Sequence, residues 1–128
     1  MIICAIMLVC ALSANVSALE VSDETVVPGL TGNEIAYANL YVTEDYVVGS
    51  SSYRGFATSM VINFHVEVAT NDTDLTKTEY YAHTCQNTGS TAHGLRPGAD
   101  EDFVWAMTIH TINSHVGSGT IRLSTYAK

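Results

Sequence analysis

From residue 56 to residue 68 the chain alternates. Phe56, Thr58, Met60, Ile62, Phe64, Val66 and Val68 fall on even positions; Ala57, Ser59, Val61, Asn63, His65 and Glu67 fall on odd ones. A two-residue period turns successive side chains to opposite faces, so one face is apolar and the other polar, as in a half-buried antiparallel strand. Asn71-Asp72-Thr73-Asp74 is a cluster of turn formers, and residues 76–84, with Tyr80 and Tyr81, are again β-prone. The spacing predicts a hairpin over 56–84. A second hairpin follows from residues 103–113, which put Phe103, Trp105, Met107 and Ile109 on one face and Thr108 and His110 on the other. Gly117-Ser118-Gly119 turns the chain into 120–127, where Ile121 and Leu123 alternate with Arg122 and Ser124.

Elsewhere the pattern is less regular. Residues 34–43 set Ile35, Tyr37, Asn39 and Tyr41 against Ala36, Ala38, Leu40 and Val42; the alternation favours a strand, and the alanines leave a helix open. Residues 20–32 contain Pro28-Gly29 and little period, which suggests an extended lead-in or a short edge strand. A short apolar piece at 45–49 precedes Gly49-Ser50-Ser51-Ser52, expected to be a loop. Residues 86–102, broken by Gly89, Gly94 and Pro97-Gly98, are expected to form a long polar loop. Half-buried strands need a second layer over their apolar faces, and without a long helix that layer is another sheet. The expected fold is therefore all-β: a small antiparallel β-sandwich of six to seven strands. Its core should hold Met60, Ile62, Phe64, Val66, Trp105, Met107, Ile109, Ile121 and Leu123.

The first eighteen residues stand apart. An unbroken apolar run from Ile2 to Leu12 leads to Val16-Ser17-Ala18, which matches the hydrophobic and cleavage regions of a secretory signal peptide. No Lys or Arg precedes the run. The rival, a membrane anchor, needs about 20 apolar residues, more than this stretch holds. A lipoprotein site at Cys10 is disfavoured by the bulky Val9 before it. The expected organisation is a signal peptide over 1–18 and one domain over 19–128, secreted to the extracellular space, with no membrane contact beyond the leader.

Every charged residue lies after Ala18, so the mature chain carries the whole formal charge of −8, from 13 Asp and Glu against 5 Lys and Arg. Such a surface repels a phosphate backbone, which argues against nucleic acid, and it disfavours anionic lipid. Removal of Cys4 and Cys10 with the leader leaves Cys85 alone, which excludes an intramolecular disulfide and predicts an unpaired, partly shielded thiol.

Candidate chemistry is sparse. Among five histidines, His65 shares an outward face with Glu67 and His110 is expected to point outward, yet no two stand two residues apart as paired ligands on a strand would. Asp72, Asp74 and Asp100-Glu101-Asp102 offer oxygen ligands for calcium, but Thr76 and Lys77 break the calcium-loop pattern. Gly49-Ser50-Ser51-Ser52-Tyr53 begins like a nucleophile elbow and lacks its second glycine. These patterns assign no catalytic residue, metal or cofactor. The best candidate is a face carrying Tyr37, Asn39 and Tyr41, where rigid amphipathic rings flank an amide able to hydrogen-bond a protein or glycan partner. The alternative is ordinary cross-strand pairing of tyrosines. The expectation is thus a non-catalytic structural or interaction module of the cell surface or extracellular space, of undetermined oligomeric state. The alternative is a small secreted effector or bacteriocin-like protein acting on another cell.

Overall fold

A computed structural model describes residues 19–70 and 75–127; the leader expected over 1–18 and the turn expected over 71–74 lie outside the described residues. The described chain is six antiparallel strands: β1 (Leu19–Gly29), β2 (Gly32–Val42), β3 (Val47–Thr70), β4 (Thr76–Leu95), β5 (Glu101–Asn113) and β6 (Ser118–Tyr126). The order is β1-β2-β3-β5-β6, with β4 on the remaining edge of β3. β3 is the spine: its first part pairs β2 and β4, and its second part pairs β5 and β4.

One strand can serve two neighbours on the same edge because it curls. Between Ser52 and Ala57 the register slips, Ser52 facing Ser90 while Ala57 faces Thr88, so β3 carries extra residues there. Extra residues in one strand bend it and increase its twist. As a result Gly49 lies under the ring of Phe64, a Cβ there coming within 3.0 Å of Phe64 Cζ, although an extended strand would hold them about 50 Å apart. The two ends of the sheet then approach each other. A Cβ on Gly119 at the start of β6 would meet Val27 Cγ2 of β1 at 2.7 Å, so only glycine lets the two strands cross this closely. Ser114 Oγ ties the β5–β6 turn to the Pro28 carbonyl. The sheet nearly closes into a barrel, joined by packing rather than a ladder at β1 and β6.

Alternation fills the interior. Ala36, Ala38, Leu40 and Val42 of β2, Met60, Ile62, Phe64, Val66 and Val68 of β3, and Ile121 and Leu123 of β6 are buried, as their period predicts. β5 differs from expectation. Glu67 faces Trp105 and Val68 faces Phe103, so Val104 is an extra, bulged residue. That single insertion reverses the phase: Phe103 is buried, but so are Ala106, Thr108, His110 and Ile112, while Trp105, Met107 and Ile109 are half-buried on the outer face. The expected core assignment of these three residues, and the outward His110, are corrected by the bulge.

Four further expectations are sharpened or changed. Of the two readings of residues 20–32 the edge strand holds, and it is long: β1, at the end of the sheet, pairs β2 along its whole length, from Leu19↔Val42 to Gly29↔Gly32. Gly49-Ser50-Ser51-Ser52 is part of β3, and β4 runs on to Leu95 through most of the expected polar loop. Phe56 is exposed and stacks on His115 because it lies in the slip where β3 changes phase.

Candidate functional site

The outward positions of β1, β2, β3 and β4 line up in rows fixed by the register. Ser22, Asn39, Ser50 and Ala92 form one row; Glu24, Tyr37, Ser52 and Ser90 form the next. Small side chains on β3 and β4 stand beside larger ones on β2, and the step leaves an open groove of about 940 Å³ on the sheet surface. Ser50, Ser52, Ser90 and Ala92 make its floor, with Tyr37 and Asn39 as one wall and Asp23 and Glu24 at the rim. The lining contains no Lys, Arg or His. By residue type the lining is hydroxyl, amide and carboxylate side chains with one aromatic ring and two alanines, and their apolar atoms still make up much of the exposed surface.

The three candidate residues share the outward face, and the structure separates their roles. Tyr37 is 37% exposed and, among the described residues, has neither a ring partner nor a hydrogen bond. Asn39 is half-buried and donates from Nδ2 to Glu20 Oε1 at 2.5 Å, which orients its amide. Tyr41 lies one row beyond the groove and stacks on Tyr46, with ring centroids 5.8 Å apart. Burial first, then the hydrogen bond to Tyr46 and the Glu20 carboxylate, push the Tyr41 phenol up from its ordinary value. The sequence thus identified one wall and missed the floor. Its signal was Ser50-Ser51-Ser52: in a strand, alternate serines face the same side, but serine next to glycine resembles turn chemistry.

A second polar cluster lies inside the fold. Ser51 Oγ and His110 Nδ1 are 2.7 Å apart, and His110 Nε2 is 2.7 Å from Thr108 Oγ1. Ser51 and His110 come from opposite walls of the interior, so this bond links them across the core. The pair resembles a nucleophile and base in composition alone, for it is shut off from solvent and its third member is Thr108, not a carboxylate. Burial drives the His110 imidazole down to about 4, which keeps it neutral in the folded protein near pH 7. Every buried polar atom in this layer has a partner.

Other histidines are engaged with aromatic or hydroxyl neighbours. On the outer face of the other half, His65 packs between Tyr80, at 4.6 Å, and the edge of Trp105, at 5.3 Å. His83 stacks on His93 at 4.5 Å and bonds Thr91 Oγ1 through Nε2 at 2.9 Å. Of the acidic run, Glu101 holds Lys77 at 2.8 Å and accepts the Gly98 N–H at 3.1 Å; Asp72 and Asp74 lie outside the described residues. Cys85 is a free, half-buried thiol on β4. A smaller pocket of about 330 Å³, near Arg54, Phe56 and His115, lies where β3 slips register.

Compared with known proteins, the chain matches no family model, and neither a curated protein nor a solved structure is similar to it.

Proposed function

We propose that this chain is a non-catalytic binding module acting outside the cytoplasm, and that it takes a glycan in the groove between Tyr37 and the serine floor. The finer fold reading, a flattened β-sandwich following a cleaved signal peptide over 1–18, belongs to the same proposal. The observation that carries the reading is Tyr37: an exposed ring, with no ring or hydrogen-bond partner among the described residues, at the wall of the groove of about 940 Å³. An aromatic face suits the C–H face of a sugar, and the carboxylates and Asn39 offer acceptors and a donor for hydroxyls. The lining lacks the basic side chains that an anionic ligand needs. The Ser51–His110 pair supports a non-catalytic role, since both side chains are almost wholly buried.

Titration of the purified protein with a panel of neutral oligosaccharides, read by calorimetry, tests this. A glycan that binds should lose about tenfold in affinity with Tyr37→Ala, with Asn39→Ala next and Tyr41→Ala close to wild type. Binding unaffected by Tyr37→Ala, or no binding across the panel, would remove the groove from the account.

A further inference from the structure

β4 has only one partner. Its residues 76–86 pair β3 without a register break, from Ala69↔Thr76 to Ser59↔Gln86. Its other edge meets no strand among the described residues. In an antiparallel ladder alternate residues turn both N–H and C=O away from the neighbour, so this arm offers a row of unpaired backbone groups. The usual protections of an edge are largely missing. The arm, Thr-Lys-Thr-Glu-Tyr-Tyr-Ala-His-Thr-Cys-Gln, has no proline or bulge and a single lysine near its start, and its threonines and tyrosines favour strand pairing. Beyond it Asn87, at φ 51°, ends the straight run.

We infer that this edge pairs with the same edge of a second copy, antiparallel and two-fold symmetric about Tyr81. The arm's own sequence argues for that occupant. Tyr81 is its midpoint, so this register alone uses the full arm of both copies. It sets Glu79 beside His83 of the second copy, twice by symmetry, Thr78 beside Thr84, Tyr80 beside Ala82, and Tyr81 beside itself. No like charges stand opposite one another, because Lys77 meets Cys85. Glu79 keeps Lys77 of its own chain at 3.7 Å in every register, but moving the axis to Tyr80 opposes Lys77 to His83, and moving it to Tyr80 or Ala82 sets Glu79 opposite Tyr81 or Cys85 instead of His83 of the second copy. Tyr80, 71% exposed in the single chain, gains cover from the added strand. The groove is untouched, since Ser90 and Ala92 lie past the bend at Asn87. This interface therefore stands or falls independently of the glycan reading.

Sedimentation velocity of the purified protein over a micromolar to millimolar range, at 0.15 M salt, reads the association. The expected result is a reversible monomer–dimer equilibrium that Tyr81→Lys weakens by about tenfold, because it opposes two lysines on the axis. Since Tyr81 is partly exposed, circular dichroism should show the variant folded. The register has its own test. In a Cys85→Ser background, Tyr81→Cys should oxidise to a covalent dimer linked through residue 81, identified by mass spectrometry of the peptide. Thr84→Cys in the same background should not. A protein that stays monomeric throughout, a dimer indifferent to Tyr81→Lys, or cross-linking as efficient at residue 84 as at 81 would overturn the inference.

Discussion

The two parts of β3 are one strand with opposite surfaces. Before the slip at Ser52–Ala57, its outward residues are Val48, Ser50 and Ser52, set beside Gly94, Ala92 and Ser90 of β4. After the slip, they include His65 and Glu67, beside Tyr80 and Thr78 of β4 and Met107 and Trp105 of β5. Both parts present the same pleated backbone to solvent. The first is a trough because its side chains are small, and the second is filled because His65, Tyr80 and Trp105 pack on each other. A ligand site on a sheet face thus comes from what the side chains leave empty. The lone ring beside the trough, Tyr37, is the one whose contact area is still available.

The interior joins what the surface divides, and breaking that junction has the largest effect. Phe64 is buried in the second part of β3 and packs over Gly49 of the first. Phe64→Ala should lower unfolding free energy by about 3–5 kcal/mol, through lost burial and the cavity left behind. Trp105→Ala, on the outer face, should cost less, about 1–2 kcal/mol, since its ring is only partly buried. Urea denaturation of the two variants checks the pair. Equal costs would mean that Trp105 is core and that the bulge at Val104 does not reverse the phase of β5.

The polar layer gives the next effect, and its sign follows from protons. His110 titrates at about 4 in the fold, against 6.5 when exposed. Between those values the unfolded chain binds the proton more readily, so acid favours unfolding. Stability from this group is fully present above about pH 6.5 and falls by about 3 kcal/mol as pH drops to 4. Denaturation midpoints measured from pH 7.5 to 4 should show that loss, and His110→Gln should remove most of it. A Gln variant with an unchanged slope would assign the acid sensitivity to other groups.

Filling the trough tests the surface contrast directly. Ser52 sits between Tyr37 and Ser90 on the outer face. Ser52→Tyr should make the first part of β3 resemble the second, changing stability by no more than about 1 kcal/mol while abolishing glycan binding in the calorimetric panel. Retained binding would place the ligand elsewhere.

How much of this was legible follows from where the period holds. The alternation of Met60 to Val68 and of Ile121 with Leu123 was enough to place these residues inside, because no insertion interrupts those stretches. Trp105, Met107 and Ile109 were misplaced because a bulge leaves no mark in a hydrophobic pattern: one extra residue, Val104, is as apolar as its neighbours. The groove was half legible. Tyr37 and Asn39 declared an outward face by their own period. Ser50 and Ser52 did not, since their contribution is lack of bulk, and it matters only once β4 brings Ser90 and Ala92 beside them. β4 itself was cut short at its glycines, which here pair with β3 or pass the bend instead of ending the strand.

The smallest effect concerns the filled surface, where rings pair with each other. His65 lies 4.6 Å from Tyr80 across the β3–β4 ladder, in a directly opposed position. Such a cross-strand pair is worth up to about 1 kcal/mol beyond the burial of its members. A double-mutant cycle with His65→Ala and Tyr80→Ala should therefore return a coupling of about 0.5–1 kcal/mol in urea unfolding. The matching cycle on Tyr37 and Asn39 should return a coupling near zero, because no bond joins their side chains and the ring stands free for a ligand. If the Tyr37 cycle shows the larger coupling, the ring is spent on the sheet itself, and the difference between the two faces is one of size alone.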